Sequence, residues 1–254
     1  MLGFVRSSAY YHVRQKVKDA VLADQIKTCI QEHTSYGYRR VALCLGLGKK
    51  KVQRIMRLYK IRPYKRKARW RKRRDERRPV SIYSNQIKHC SPIAPNHTWV
   101  GDFTYIPFHN KFLYLATFMD LYTREIVGWH ISNKHTKHLV MEAFLDGLVN
   151  QKMHRPTFVH TDQGAEYTSQ DYTQLVTNFG VTISMSTKSS PWENGYQESF
   201  YNNFKTDLGL EFDRFSTTGE IVEAIHQQIY YYNHQRIHTS LKMPPYQFRL
   251  LHPR

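Results

Sequence analysis

The spacing of apolar residues changes character near residue 97. Before that point Val21, Leu22, Ile26 and Ile30 recur at helical intervals, and residues 1–61 read as helical throughout. Residues 39–45 form a short helix, and Gly46-Leu47-Gly48 a turn in which glycine supplies the permissive backbone. A second helix follows, with Val52, Ile55, Met56 and Tyr59 on one face and Lys50, Arg54 and Arg57 on the other. After residue 97, residues 98–106, 112–119 and 124–132 are three strand candidates joined by short polar turns. An amphipathic helix is expected over 138–150, a buried strand over 157–160, a helix over 169–179 and a strand over 181–186. Helices over 191–208 and 219–234 close the chain. Meandering strands followed by alternating helices and strands predict an α/β fold, a mixed sheet flanked by helices.

This pattern divides the chain into a small helical domain over 1–61, a linker over 62–96 broken by Pro63, Pro79, Pro92 and Pro95, and a larger domain over 97–254. A hydrophobic content of 41% is enough to build a core. No apolar run approaches the roughly 18 residues of a membrane span, and no signal-peptide pattern opens the chain. A soluble, cytoplasmic protein without a membrane partner is expected. Cys29, Cys44 and Cys90 are too scattered for a disulfide framework, and no His/Cys cluster has the spacing of a structural zinc site.

Charge changes the picture more than composition does. Of the formal +18, residues 49–78 hold 17 Lys or Arg against Asp75 and Glu76, a local excess of +15. Such a block is the electrostatic footprint of a protein that binds a polyanion, usually nucleic acid, and a solvated tail is the alternative. Because Arg71, Lys72, Arg73 and Arg74 directly follow a helix pair with a basic stripe, the pair resembles a DNA-binding helix-turn-helix. An ordinary helical hairpin has the same pattern.

The carboxylates are the candidate chemistry. Asp102 interrupts an otherwise apolar strand, Trp99-Val100-Gly101-Asp102-Phe103, where a charge is costly unless it is paired or holds a cation. Asp162 follows Phe158 and Val159 and precedes Gly164, at the end of an expected central strand, which is the favoured edge for a site in an α/β sheet. Either alone is more often structural than catalytic. A third carboxylate comes from Glu193 or Glu198, with Glu166 a competitor near a turn. Ser190-Pro191-Trp192-Glu193 has the form of a capping box, which explains Glu193 as a helix start. Glu198 lies in the helix interior beside Asn202 and Lys205, on a different face from Trp192, Tyr196, Phe200, Phe204 and Leu208. Converging carboxylates of this kind suit hard divalent cations such as Mg²⁺.

Asp162 and Glu198 have 35 residues between them, the D,D(35)E spacing of retroviral integrases and related bacterial transposases. Further segments sharpen the likeness. They are Tyr36-Gly37-Tyr38-Arg39-Arg40; Asp120 to Trp129 with Thr123-Arg124 and Ile126-Val127-Gly128-Trp129; and His160-Thr161-Asp162-Gln163-Gly164 with Tyr167-Thr168-Ser169. Glu198-Ser199-Phe200 with Lys205, and Tyr232-Asn233 with Arg236, His238 and Ser240-Leu241, complete the set. Jointly these resemble the second-frame transposase of the IS-three family of insertion sequences, over nearly the whole chain. Trp192-Glu193-Asn194 departs from the more usual W-D-N, and the His-His-Cys-Cys zinc module of the retroviral branch is absent.

The resemblance implies a ribonuclease-H-like integrase core and magnesium-dependent DNA cleavage and strand transfer at the ends of a mobile element. It implies two Mg²⁺ ions, with Mn²⁺ as a substitute, Asp102 bridging them and Asp162 and Glu198 completing one site each. Implied partners are double-stranded DNA (terminal inverted repeats and target), a second copy of the chain, and an upstream-frame protein. Lys205 is a candidate grip on the DNA end, with a solvated helix lysine as the alternative. His160, Asn233, Arg236 and His238 either touch DNA or serve the fold.

Overall fold

The computed structural model describes residues 6–64, 83–88, 91–109, 111–186, 195–209 and 214–253. The chain divides into two compact units, residues 1–67 and 68–254.

The first unit is helical: α1 (Arg6–Glu32), α2 (Tyr38–Cys44) and α3 (Lys49–Leu58). The buried stripe of α1 is Asp19, Leu22, Ala23, Ile26 and Cys29. Val21, expected on that stripe, is instead exposed, because it lies about 100° from Leu22 around the helix. Gly46 takes φ +62 in the turn between α2 and α3, the left-handed conformation that glycine adopts without strain. Val52, Ile55 and Met56 are buried on α3 as expected, but the helix ends at Leu58 and leaves Tyr59 36% exposed. Lys50 and Arg57 are exposed on the opposite face. Arg54 is tied down: its guanidinium donates to both carboxyl oxygens of buried Asp19, at 2.8 and 2.6 Å. That bidentate pair joins α3 to α1, so Arg54 is first a structural residue rather than a free member of a basic stripe.

The second unit is a five-stranded sheet in the order β3-β2-β1-β4-β5. Its strands are β1 (Thr98–Phe108), β2 (Lys111–Asp120), β3 (Ile126–Ser132), β4 (Phe158–Thr161) and β5 (Thr182–Met185). The first three form an antiparallel meander, and β4 and β5 join β1 in parallel. The helices are α4 (Lys137–Asn150), α5 (Ala165–Thr168), α6 (Gln170–Asn178), α7 (Gly195–Leu208), α8 (Thr218–His234) and α9 (Pro245–Leu251). The short helices α5 and α9 were not expected from the sequence. On one face Trp99, Phe118 and Val159 pack against Phe144 of α4 and Val176 of α6. On the other, Val100, Leu115 and Met119 pack against Phe200 and Phe204 of α7 and Ile225 of α8. Gly128 lets α4 sit directly on β3, since a Cβ there would overlap the Ala143 carbonyl oxygen and the Gly147 backbone.

Part of the expected linker belongs to this unit. Gln86 N donates to Ser184 Oγ at 2.9 Å, and Tyr83 and Ile87 pack on the core. Asn96 N donates to Asp120 Oδ2 at 2.6 Å, while the other carboxyl oxygen of Asp120 accepts from Tyr122 N, Thr123 N and Thr123 Oγ1. The Asp120-to-Arg124 segment is therefore turn architecture. Among the described residues no helix is long and apolar enough to cross a membrane.

Candidate active site

Sheet register brings the first two carboxylates together. β1 and β4 run parallel with Val100 opposite His160. Asp102 lies two residues further along β1, on the sheet face that α7 covers, and Asp162 follows just past the end of β4, near enough for its charge to act on Asp102.

Helix α7 is locked to β1 by a ladder of three bonds. Gln197 Nε2 donates to the Val100 carbonyl, Tyr201 Oη to the Asp102 carbonyl and Lys205 Nζ to Thr104 Oγ1, each at 2.6 Å. Four residues of helix rise about 6 Å and two residues of strand about 6.6 Å, so steps of four on α7 match steps of two on β1. Gln197 is fully buried and also donates to the Thr117 carbonyl at 3.2 Å. Glu198, the next residue, projects about 100° around the helix and is exposed beside the rung that Gln197 makes with Val100. Phe200, Phe204 and Leu208 are buried as expected, whereas Tyr196 is 49% exposed with the Arg124 guanidinium 4.0 Å over its ring. Arg124 occupies that side of α7, so the apolar stripe begins only at Phe200. Trp192 and Glu193 lie outside the described residues.

Electrostatics mark the same spot. The Asp102 carboxyl is pushed up to about 7, first by burial and then by Asp162, with a smaller push from Glu198. The Phe103 N–H, donating at 2.8 Å, and the Lys205 ammonium act the other way. Asp162 is also raised, by the protein packed around its carboxyl and by Glu166, against a bond from Gly164 N at 3.0 Å. A Cβ on Gly164 would meet Glu166 Oε2 at 3.0 Å and Asp162 Oδ1 at 3.1 Å, so both carboxylates crowd this glycine. Glu166 pairs with His135 Nε2 at 3.2 Å. Tyr167 is fully buried, its hydroxyl has no hydrogen-bond partner among the described residues, and burial and the Asp102 charge push it well above its ordinary value.

Among the described residues no three His, Cys, Asp or Glu side chains stand close enough to hold a metal ion as they are. The donor set nonetheless fits a hard divalent cation. It is all carboxylate oxygen, and at Asp102 burial and like charge outweigh the help from Lys205.

Other candidates fall elsewhere. Arg236, expected as a DNA contact, is 1% exposed, with Nε 2.6 Å from Asp207 Oδ2 and Nη2 2.9 Å from Asn203 Oδ1, so its guanidinium is engaged in the fold. Asn233 accepts from Ile126 N and donates to Ile126 O, both at 2.9 Å, tying α8 to β3. His160 is fully buried, 2.9 Å from Ser184 Oγ across β4 and β5, and His238 pairs through its backbone with Met243. Gln197 and Tyr201 were missed by sequence reasoning; the four-residue steps from Gln197 through Tyr201 to Lys205 were the available signal.

The fold is that of an integrase catalytic core. Two family profiles described as "Integrase core domain" match residues 92–191 and 179–245. The fold is similar to the human T-lymphotropic virus type 2 (HTLV-2) integrase catalytic core, solved in complex with magnesium (19% identity, 62% of this chain and 99% of that one, TM-score 0.50). It is also similar to the simian T-cell lymphotropic virus intasome (18%, 88% and 73%, TM-score 0.54). In sequence the chain is 34% identical over 239 residues to the transposase for insertion sequence element IS904 of Lactococcus lactis, covering 90% of this chain and 92% of that one. It is 36% identical over 114 residues to transposase InsF for IS3A of Escherichia coli, covering 45% and 40%. The chain belongs to the insertion-sequence transposases of the IS3 group, DNA-recombining enzymes built on an integrase core.

Proposed function

We propose that this transposase cuts and joins DNA strands at insertion-sequence ends, with Asp102, Asp162 and Glu198 holding two Mg²⁺ ions. The observation that supports the reading is that the charges of Asp162 and of Glu198, on a helix fixed to β1 by the ladder, both act on buried Asp102. When bound, the ions supply charge neutralisation for the three carboxylates, activation of the attacking oxygen and stabilisation of the leaving 3′ oxygen. Gln197 and Tyr201 fix the helix that carries Glu198, and Tyr201 orients the backbone at Asp102. Lys205 holds positive charge beside Asp102, where it also suits a DNA phosphate. Lys50 and Arg57 on α3 and the run Arg71, Lys72, Arg73 and Arg74, which lies outside the described residues, bind the duplex backbone. Joining two ends requires both in one assembly, hence at least two chains, with an upstream-frame protein as a further partner.

The test is an oligonucleotide assay with a labelled 3′-hydroxyl end and Mg²⁺. Asp102→Asn, Asp162→Asn and Glu198→Gln should each abolish cleavage and joining while leaving duplex affinity nearly unchanged. Glu193→Gln should stay active. Joining by Glu198→Gln would refute the assignment of the third carboxylate, and hydrolysis without joining would make the protein a nuclease.

A further inference from the structure

The outer part of the β1–β2 hairpin carries rings that the carboxylate site does not use. On the sheet face that α4 covers at Trp99, Ala116 and Phe118, the pattern continues past the helix as Phe103 and Tyr105 on β1 and Phe112 and Tyr114 on β2. Tyr105 stands opposite Tyr114 with ring centroids 6.3 Å apart, and lies 6.2 Å from Phe112 and 6.5 Å from Phe103. His135 closes the group, stacked on Tyr114 at 5.2 Å and tilted against Phe103 at 4.4 Å. Phe103 and Tyr114 rest on the core, whereas Tyr105 and Phe112 are 51% and 53% exposed. Large rings left half in water on rigid strands form a surface, not a core.

Charge says what that surface suits. Residues 103–119 and 126–138, which supply all the rings, contain no Asp or Glu. Lys205 Nζ stands 6.0 Å from the Tyr105 ring centroid, and Lys111 and Lys134 are exposed near the hairpin and after β3. Aromatic faces rimmed by cations are the combination that binds single-stranded nucleic acid, since every base has a face to stack and every link a phosphate. The surface lies on the face of the sheet opposite Asp102 and meets the acidic edge through His135, which pairs with Glu166, whose Oε2 crowds Gly164 together with Asp162 Oδ1.

We propose that Phe103, Tyr105, Phe112 and Tyr114 form a stacking shelf for unpaired nucleotides of a DNA strand that passes the acidic edge at Glu166 and Asp162. The proposal rests on the transposase reading above, and duplex binding separates the two. The full chain is titrated, at one fixed salt concentration, with a blunt duplex and with the same duplex carrying a short unpaired thymidine tail. The wild type should prefer the tailed duplex. The double substitution Tyr105→Ala/Phe112→Ala should lose roughly ten- to hundredfold of that preference, about the 1–3 kcal/mol of one stacked base. Its affinity for the blunt duplex should hold, and Tyr105→Trp should keep the preference. Both changed side chains are exposed, so the fold should survive. A wild type without tail preference, or a double variant that retains it, overturns the proposal. So does a double variant that keeps the preference but loses self-association by light scattering, which would make the face an interface between copies. A wild type that binds neither DNA sinks the transposase reading, and the shelf with it.

Discussion

Replacing Asp102 by asparagine should stabilise the metal-free protein at neutral pH, although it removes a proposed catalytic group. The substitution keeps the shape and leaves an oxygen to accept from Phe103 N, but removes a charge that burial, Asp162 and Glu198 all disfavour. A carboxyl raised from 3.8 to about 7 corresponds to up to about 4 kcal/mol, at roughly 1.36 kcal/mol per pH unit. Because the folded-state pKa is raised, the folded protein keeps a proton that the unfolded chain releases. Stability is therefore lost as pH rises from about 4 to about 7, and the full penalty stands above 7. Asp162 and Glu125 are raised too, so the wild-type slope alone does not identify Asp102. The difference between variant and wild type does. In chelator, urea unfolding followed by tryptophan fluorescence should give equal stability near pH 4 and a variant ahead by up to about 4 kcal/mol at pH 8. In melting temperature that is roughly 8–16 °C at about 2–4 °C per kcal/mol. Adding Mg²⁺ should then stabilise the wild type far more than the variant. A pH-independent difference, or a variant less stable than the wild type at pH 8, would refute the reasoning.

Gln197→Leu should cost roughly 2–4 kcal/mol in the same unfolding assay, because it strands the buried Val100 and Thr117 carbonyls. It should also slow strand joining by loosening the turn of α7 that carries Glu198; unchanged stability would mean the ladder is not a support. Arg236→Met should cost about 3–5 kcal/mol by leaving Asp207 buried and unpaired. The salt dependence of its DNA binding should match the wild type, and a shallower slope would restore Arg236 as a phosphate contact. Arg54→Ala should lower the melting of the 1–67 unit, most visibly above pH 4, since Arg54 holds Asp19 below the usual carboxylate range and that stabilisation fades as pH falls. Arg57→Ala should leave melting unchanged and weaken duplex binding; the opposite pattern in a thermal melt and a titration would reverse the two roles.

Strands and long helices were legible because their periods are local. The apolar run from Trp99 to Ile106 and steps of four at Phe200, Phe204 and Leu208 are written in neighbouring residues, and hydrophobic burial enforces them wherever the chain folds. The acidic residues could likewise be nominated from their cost, since Asp102 interrupts an apolar strand and Asp162 ends one. Arg54 and Arg236 show where such reasoning stops. Both carry full charges on polar helix positions or beside them, and each is neutralised by an acid far along the chain, Asp19 or Asp207.

Pattern and spacing by themselves determined the α/β class, the basic run, the candidate carboxylates and the family likeness. Tertiary structure alone decided that Val100 pairs with His160, two residues before Asp102 and Asp162, and that Gln197 and Tyr201 lock α7 to β1. It also decided that Phe103, Tyr105, Phe112 and Tyr114 share one open face. The physical reason is that periodicity reports which side of an element is buried but carries no information about its register against a strand or helix distant in sequence. Register is set by long-range packing and by buried polar groups finding partners, and the chemistry of this protein depends on it.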